Sequence, residues 1–429
     1  MESEIKNCQN CKNDFVIESE DFNFYEKIKV PPPTFCPECR LIRRLNFRNE
    51  RTFYKRRCDL CKKSIISVYN ADSILNVYCH ECWWGDGWDS MIFKSEYDFT
   101  KPALKQFQDL LQKVPVVSLF VGGNQINSDY CNFTADNKNC YLCFGGKANE
   151  QILYANRSSL SKECVDIYNG TNLELCYESI QCEKSYKLFF CIQCENCNDS
   201  MFLYDCRNCQ NCFGCTNLRN KTYCIFNQQY KREEYLEKIK EFNLGNFNNL
   251  EFFKNKFFEL CKKSIHKYAH LINSQNSTGD YLFNVKNCQN CFDLTGSVSE
   301  NCKYTHFAVF GMKDSYDNYG SSKAEKVYET LAIGFDSNEN SDYFFSYFIR
   351  GSTNIFYSYN CVSCHDLFLC IGLRNKSYCI LNEALPDDIK DITTTIVGKV
   401  IECNHKGTCN EQCTEAFKII PEELSFYQR

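Results

Sequence analysis

Apolar and small residues recur at a fixed step through the middle of this chain. Written from Ser161 in rows of fifteen, Cys176, Cys191 and Cys206 share a column, and Cys182, Cys197 and Cys212 share another. Cys164, Ser179, Cys194, Cys209 and Cys224 make a third column, and Leu173, Leu188, Leu203 and Leu218 a fourth. A short period held this tightly predicts stacked coils, with each residue type above its counterpart one turn below. Coils of this size hold strands of only three or four residues. The Asn, Asp and Gly between the columns supply the turns.

Two stretches change the period. Leu104, Phe107, Leu110 and Leu111 stand at helical spacing and predict a helical linker within 99–126. Tyr235, Ile239 and Phe242 do the same for a connector over 229–272, which ends a first Cys-rich block spanning 127–228. The pattern then restarts as a duplicate block over 273–384. CTNLRNKTYC at 215–224 returns as CIGLRNKSYC at 370–379, an offset of 155 that also carries Cys206 onto Cys361 and Cys209 onto Cys364. Upstream, Asn139 and Cys140 match Asn287 and Cys288 at an offset of 148, so seven residues were gained in between. The second block has lost most of its cysteines: Leu367 stands for Cys212 and Ile349 for Cys194.

Composition changes this picture mainly through the cysteines. The chain has 429 residues, 33 of them Cys, with 44% hydrophobic residues and a net charge of −5. That is enough apolar content for folded domains and excludes a chain that is basic overall. No apolar leader opens the sequence and no run of about 18 apolar residues follows, so a soluble cytoplasmic protein without membrane contact is expected. Thiols there stay reduced, which leaves metal ligation or burial as small hydrophobes.

Both uses are legible. Cys8-x-x-Cys11 and Cys36-Pro-Glu-Cys39 flank a spacer of twenty-four and have the arrangement of a four-thiolate zinc site within a first finger, 1–57. Cys58-x-x-Cys61 and Cys79-x-x-Cys82 repeat it, across a shorter spacer of seventeen, in a second finger, 58–98. Near the end, Cys403, Cys409 and Cys413 echo the first finger at an offset of 402 and predict a partial third finger in 385–429, closed locally if His405 helps. About two Zn2+ per chain are expected, with a third if that last site closes. The ladder cysteines read differently, because columns that admit Ser179, Leu367 or Ile349 are not obligate ligand sets. A buried thiol ladder and a metal array both remain open.

Between the two zinc motifs lie Arg40, Arg43, Arg44, Arg48, Arg51, Lys55, Arg56 and Arg57 against one acid, Glu50. Steps of four, four, three and four place Arg40, Arg44, Arg48, Arg51 and Lys55 on one face of a helix over 40–57. Such a face suits phosphate contacts, or pairing with the acidic remainder of the chain. Trp83, Trp84 and Trp88 follow Cys82 directly and suit either base stacking or a finger core.

The run C-x-x-C-x-x-x-F, then F-Y, then P and C-P-x-C-R-x-x-R, resembles a zinc-binding treble-clef or zinc-ribbon domain family over residues 5–57. The wider layout, fingers followed by Cys- and Asn-rich repeats, is similar to uncharacterised zinc-ribbon proteins of small-genome bacteria. The resemblance implies zinc binding rather than an activity. No P-loop, G-x-G-x-x-G, H-E-x-x-H or G-x-S-x-G motif is present, so a non-enzymatic protein is expected. The expected architecture is mainly β: N-terminal fingers, then two duplicated β-solenoid-like blocks joined by a helical segment. The leading functional expectation is binding of nucleic acid or a ribonucleoprotein through 40–57, with the repeats as scaffold. A protein–protein scaffold with purely structural fingers is the alternative, and an iron–sulfur or redox protein a second one.

Overall fold

A computed structural model describes residues 2–321, 323–333 and 341–385, together with the strands Val400–Glu402 and Ala416–Lys418. The chain is mainly β and divides into two compact units. One comprises Met1–Asn49, Ser73–Val116 and Tyr268–Arg429, the other Glu50–Asp72 and Val117–Lys267. Helices α1 (Ser19–Lys27), α2 (Pro37–Leu45), α3 (His80–Trp84) and α4 (Ala103–Leu111) belong to the first, and α5 (Arg232–Glu241) and α6 (Phe247–Lys263) to the second.

The second unit is built on an 11-stranded sheet running from Val121–Gly122 to Gln228–Gln229. Its register corrects the expected fifteen-residue coil. Leu153 pairs with Val165, Val165 with Tyr177 and Gln210 with Thr222, all in parallel and all at a step of twelve along the chain. Every third residue from Ser161 to Cys215 is buried, so a turn of twelve sends four side chains inward. A row of fifteen is one full turn plus one triplet. The columns legible in the sequence were therefore diagonals across neighbouring sides, and the cysteines aligned because all inward sites are alike.

The triplet also dictates the backbone. From Asp136 to Phe226 every third residue has a positive φ, for example Asn139 at 54°, Asn172 at 54° and Asn208 at 53°, with Gly145 and Gly214 taking two of the places. This left-handed corner turns the chain onto its next side, and Asn tolerates it best after Gly. One residue of each triplet donates forward (Leu153 N–H to Cys164 O), and the corner residue donates backward (Gln151 N–H to Lys138 O). The inward residue's amide is left over. It finds the side chain below: Cys176 N–H donates to Cys164 Sγ at 3.4 Å, Cys140 N–H to Ser128 Oγ at 3.1 Å and Cys212 N–H to Ser200 Oγ at 3.0 Å. The thiols donate in turn to carbonyls of the next turn, as Cys197 does to Cys206 O at 3.5 Å, and Ser179 does the same to Leu188 O. A buried amide left without a partner costs about 1–3 kcal/mol, so Cys and Ser are interchangeable here for a physical reason.

The first unit carries a 13-stranded sheet from Leu271–Ile272 to Glu383–Ala384. Its turns vary. Phe292 pairs with His306 at a step of fourteen, and His306 with Tyr319 at thirteen. Met312 pairs with Ala324 at twelve, and Glu325 with Ser341 at sixteen. The excesses over twelve account for the seven extra residues between the duplicated segments. Past them the register is again regular, with Leu367 opposite Cys379 where Cys212 stands opposite Cys224.

Both sheets end alike, in an antiparallel strand after a turn of two left-handed residues, Phe226–Asn227 and Leu381–Asn382. The Asn227 amide accepts from Thr216 N–H and donates to Thr216 O, and Asn382 makes the same pair with Ile371. Each side chain thus stands in for one more backbone residue at the open end. After the first of these turns α5 and α6 fold back over an aromatic face, burying Phe190, Phe202 and Phe213 against Tyr235, Phe253 and Phe257.

Cys164 tests the inward amide rule. Cys164→Ser keeps both the acceptor for Cys176 N–H and a donor, and is expected to stay within about 1 kcal/mol of the wild type in urea unfolding. Cys164→Val keeps the bulk but orphans the amide, and is expected to cost about 1–3 kcal/mol. A milder effect for Val than for Ser would overturn the rule.

Candidate metal centres and the arginine cluster

Each candidate centre is half hairpin and half helix. In the first, the strands Glu4–Asn7 and Asp14–Ile17 pair antiparallel and leave Cys8 and Cys11 in their turn. Cys8 N–H donates to Asn13 O at 2.9 Å, Lys12 N–H returns to Cys8 O at 3.0 Å, and Lys12 takes φ 63°. The strands Tyr54–Arg57 and Ser64–Ser67 repeat this knuckle for Cys58 and Cys61. There Cys58 N–H meets Lys63 O, and Lys62 takes the same φ of 63°. The other halves are helix starts. Cys36 caps α2 with Pro37 in the first position, and Cys79 caps α3, its sulfur accepting from Cys82 N–H. Helix N-termini favour anionic ligands, thiolates included.

The four sulfurs Cys8, Cys11, Cys36 and Cys39 lie within 4.8 Å of one another, and so do those of Cys58, Cys61, Cys79 and Cys82. Cys36 N–H points at Cys8 Sγ at 3.2 Å, and Asn10 Nδ2 at Cys39 Sγ at 3.3 Å. Burial works against a charge on Cys8, but the amides of Cys36, Cys11 and Asn10 outweigh it and hold the thiol down to about 6. Burial pushes the Cys36 thiol up. Each set could hold one metal ion, and four sulfurs in this span are compatible with zinc. Four protein ligands leave no open position, which fits a structural role. Cys403, Cys409, Cys413 and His405 lie outside the described residues; the strands bracketing them, Val400–Glu402 and Ala416–Lys418, pair antiparallel.

The basic segment departs from its expected form. No single helix covers 40–57: α2 ends at Leu45, and 54–57 is a strand. Phe47 N–H and Arg48 N–H close tight turns onto Arg44 O and Leu45 O. The β-favouring Thr52, Phe53 and Tyr54 then lead into the hairpin that the second knuckle requires. The face of evenly stepped cations is thereby broken after Arg44.

Nor does the start of that face meet solvent. Arg40 is 1% exposed and Arg44 0%. Arg40 Nε lies 3.0 Å from Asp317 Oδ1, while Arg44 Nη1 lies 3.1 Å from Glu329 Oε2 and 3.3 Å from Asp317 Oδ1. Arg43 Nη2 completes the cluster, 2.6 Å from Glu329 Oε1. Burial opposes the Arg40 charge, but the Asp317 carboxylate more than restores it and holds the guanidinium well above its ordinary value. Arg48 lies over the Tyr319 ring, Arg51 over Phe144, and Arg56 pairs with Asp59 at 2.9 Å. Arg51, Lys55 and Arg57 are exposed.

Asp317 and Glu329 were not singled out by the sequence reading. They stand one turn apart in a single left-handed corner column, with φ 57° and 52°. The signal was a pair of acids at the turn spacing, and it is legible only once the turn is known to be twelve. Two buried carboxylates stacked one turn apart need cations, and the first finger brings them. The same finger stacks Phe24 on Tyr316 at 3.8 Å and pairs buried Asp21 with Lys303 at 2.7 Å. Two of the tryptophans are likewise core: Trp83 is 0% exposed and donates to Pro115 O, Arg374 lies over Trp83 and Trp88, and Trp84 is half-buried.

No protein-family model matches this chain, and no curated protein matches it. Among solved structures, a chain from Desulfovibrio desulfuricans G20 described as an acetyltransferase aligns with 84% of this chain and 77% of its own length. The identity is 9% and the TM-score 0.13, a likeness that carries no argument. Among the described residues no helix is long and apolar enough to cross a membrane.

The buried charges set one expectation. Arg44→Met leaves Asp317 and Glu329 short of a cation and should cost about 3–5 kcal/mol in urea unfolding. Lys55→Gln and Arg57→Gln, at exposed sites, should stay within about 0.5 kcal/mol of the wild type. Equal effects from all three would show that the cluster is not what seats the finger.

Proposed function

We propose that this protein is a non-enzymatic scaffold, in which zinc-stapled fingers of treble-clef or zinc-ribbon type are fixed to β-solenoid blocks that present surfaces to partner proteins. The observation that carries this reading is the burial of Arg40 and Arg44 against Asp317 and Glu329. Two of the cations best spaced for phosphate face the protein's own carboxylates, so the first finger acts as a clamp. Loss of its metal would free α2 and strand those carboxylates. Free thiols in such number suit a reducing compartment, the cytoplasm.

Nucleic-acid or ribonucleoprotein binding is the second reading, favoured by exposed Lys55 and Arg57 on the hairpin of the second knuckle. Two such cations would give a shallow salt dependence, with a log–log slope of roughly −2. Retention on a polyanion column that Lys55→Glu and Arg57→Glu abolish would put this reading first.

Metal content is the direct test. Elemental analysis should return about two zinc ions per chain, three if the C-terminal cysteines close a site, with negligible iron. After chelation the cysteines of the two candidate centres should react quickly with a thiol reagent. The ladder thiols should stay slow until the chain unfolds, since burial pushes Cys379, for one, up to about 11. Four or more metal ions, or bound iron, would overturn the structural-zinc reading and favour a metal array.

A further inference from the structure

The second unit has one face that is apolar along its whole length and covered along only half of it. The column Tyr141, Leu153, Val165, Tyr177, Phe189, Met201, Phe213 and Ile225 runs unbroken through consecutive parallel pairs. Toward its C-terminal end α5 and α6 sit on it and bury Phe213 and Ile225. Toward its N-terminal end the column is open. Tyr141 is 39% exposed and Leu153 38%, and beside the column Tyr154 is 50% exposed and Tyr130 40%. The Tyr130 and Tyr141 rings are 5.3 Å apart, and those of Tyr141 and Tyr154 5.8 Å. Isolated exposed aromatics are ordinary, but a contiguous cluster continuing a covered face marks an interaction site.

The covered half shows what this face accepts. α6 lays Phe253 and Phe257 against Phe213 and Phe202, at 5.3 and 5.6 Å. Its Lys254 reaches Glu178 Oε2 at 2.6 Å and lies over the Phe190 ring at 4.9 Å. Glu178 stands in the left-handed column beside the apolar one, and one turn below it in the same column stands Asp166, then Tyr154. Asp166 is exposed, and burial together with the Glu178 carboxylate lifts its carboxyl above the usual range. An acid thus recurs one turn down in Asp166, its aromatic neighbour in the column being Tyr154 below rather than a Phe above, and no helix among the described residues supplies it with a lysine. From Tyr130 to Asp166 the open stretch is about three turns at roughly 4.8 Å each, about 14 Å, long enough for between two and three turns of α-helix.

We propose that the open half of this face, centred on Tyr141, Leu153 and Tyr154 with Asp166 at its edge, seats an amphipathic helix of a partner protein. That helix carries an aromatic or aliphatic stripe flanked by a lysine. The inference rests on the scaffold reading and deepens it by naming the surface and the chemistry of the partner. Its failure would leave the zinc count, and with it the clamp, untouched.

The probe is a labelled peptide of residues 246–263 with its cysteine changed to serine, titrated into the full zinc-loaded chain and read by fluorescence anisotropy. Binding in the range of about 1–100 μM is expected. Tyr154→Glu and Asp166→Lys, each checked for unchanged zinc content and far-UV circular dichroism, should weaken it at least tenfold. A peptide with Lys254→Glu should fail on the wild type and recover on Asp166→Lys. Absence of binding to the wild type, or equal binding to Tyr154→Glu, would overturn the proposal, because exchange into the seat of α6 would not involve Tyr154. A wild-type protein that sediments as a dimer which Tyr154→Glu disperses would also overturn it, making a second copy the occupant.

Discussion

Everything in the stacked turns follows from the amide that a three-residue side leaves over. Two of every three backbone N–H groups find carbonyls one turn away, and the third belongs to the residue whose side chain points inward. Water does not reach it, and where Cys or Ser stands one turn below, that side chain accepts its hydrogen bond. That side chain must also be small and tolerate a dry core. Serine meets the first demand well and the second less well, while leucine meets only the second. Cysteine meets both moderately, with a sulfur that accepts weakly, an S–H that donates weakly and little penalty for burial. A chain with 33 cysteines therefore needs neither disulfides nor an array of ions to account for most of them.

The outward columns obey a different rule. Residues of neighbouring turns sit on top of one another, so opposite charges in a column attract and like charges repel unless neutralised. Lys138 meets Glu150 at 2.8 Å and Lys286 meets Glu300 at 3.0 Å, exposed pairs of the kind worth little energy but able to settle which turn stacks on which. The Asp317 and Glu329 column does not alternate. Buried at 0% and 1% exposure, those two acids are tolerable only with the guanidinium groups of α2 above them. The first candidate metal centre sets the start of α2 through Cys36 and Cys39, so that cysteine cluster, the helix and the stacked carboxylates form one chain of dependence.

How much of this was legible in the sequence depends on which period each feature follows. The four-cysteine spacings need only local turns, and both sets converge as read. The duplication was legible because identical residues recur in identical register. The length of the turn was not: fifteen and twelve are both multiples of the triplet, and a column of cysteines looks the same on any side. Once the turn was misjudged, the acids at 317 and 329 could not be seen as neighbours, and the arginines opposite them looked free. The helix over 40–57 failed for a local reason, since cation spacing says nothing about Thr52, Phe53 and Tyr54, which prefer a strand and lead into the next knuckle. What most needed the structure was pairing between residues at opposite ends of the chain, as between Arg44 and Glu329.

Two outward columns that break the alternation are covered. Two acids in one column are met by α2, and a run of Phe in another is met by α5 and α6. In each case the covering element supplies what the column lacks: cations to the carboxylates, and apolar surface with one lysine to the aromatic face. A polar, alternating column needs no cover, as at Lys138 and Glu150, whose side chains stay exposed. The stretch from Tyr130 to Tyr168 breaks the same rule as the covered ones, with aromatics where solvent-facing turns carry ion pairs, and it is exposed. Energetics sets the size of that exception. Burying one large apolar side chain fully is worth about 1.5–3 kcal/mol, so an open cluster of four forgoes several kcal/mol that an occupant would recover. That unrealised burial is what the proposed helix would recover.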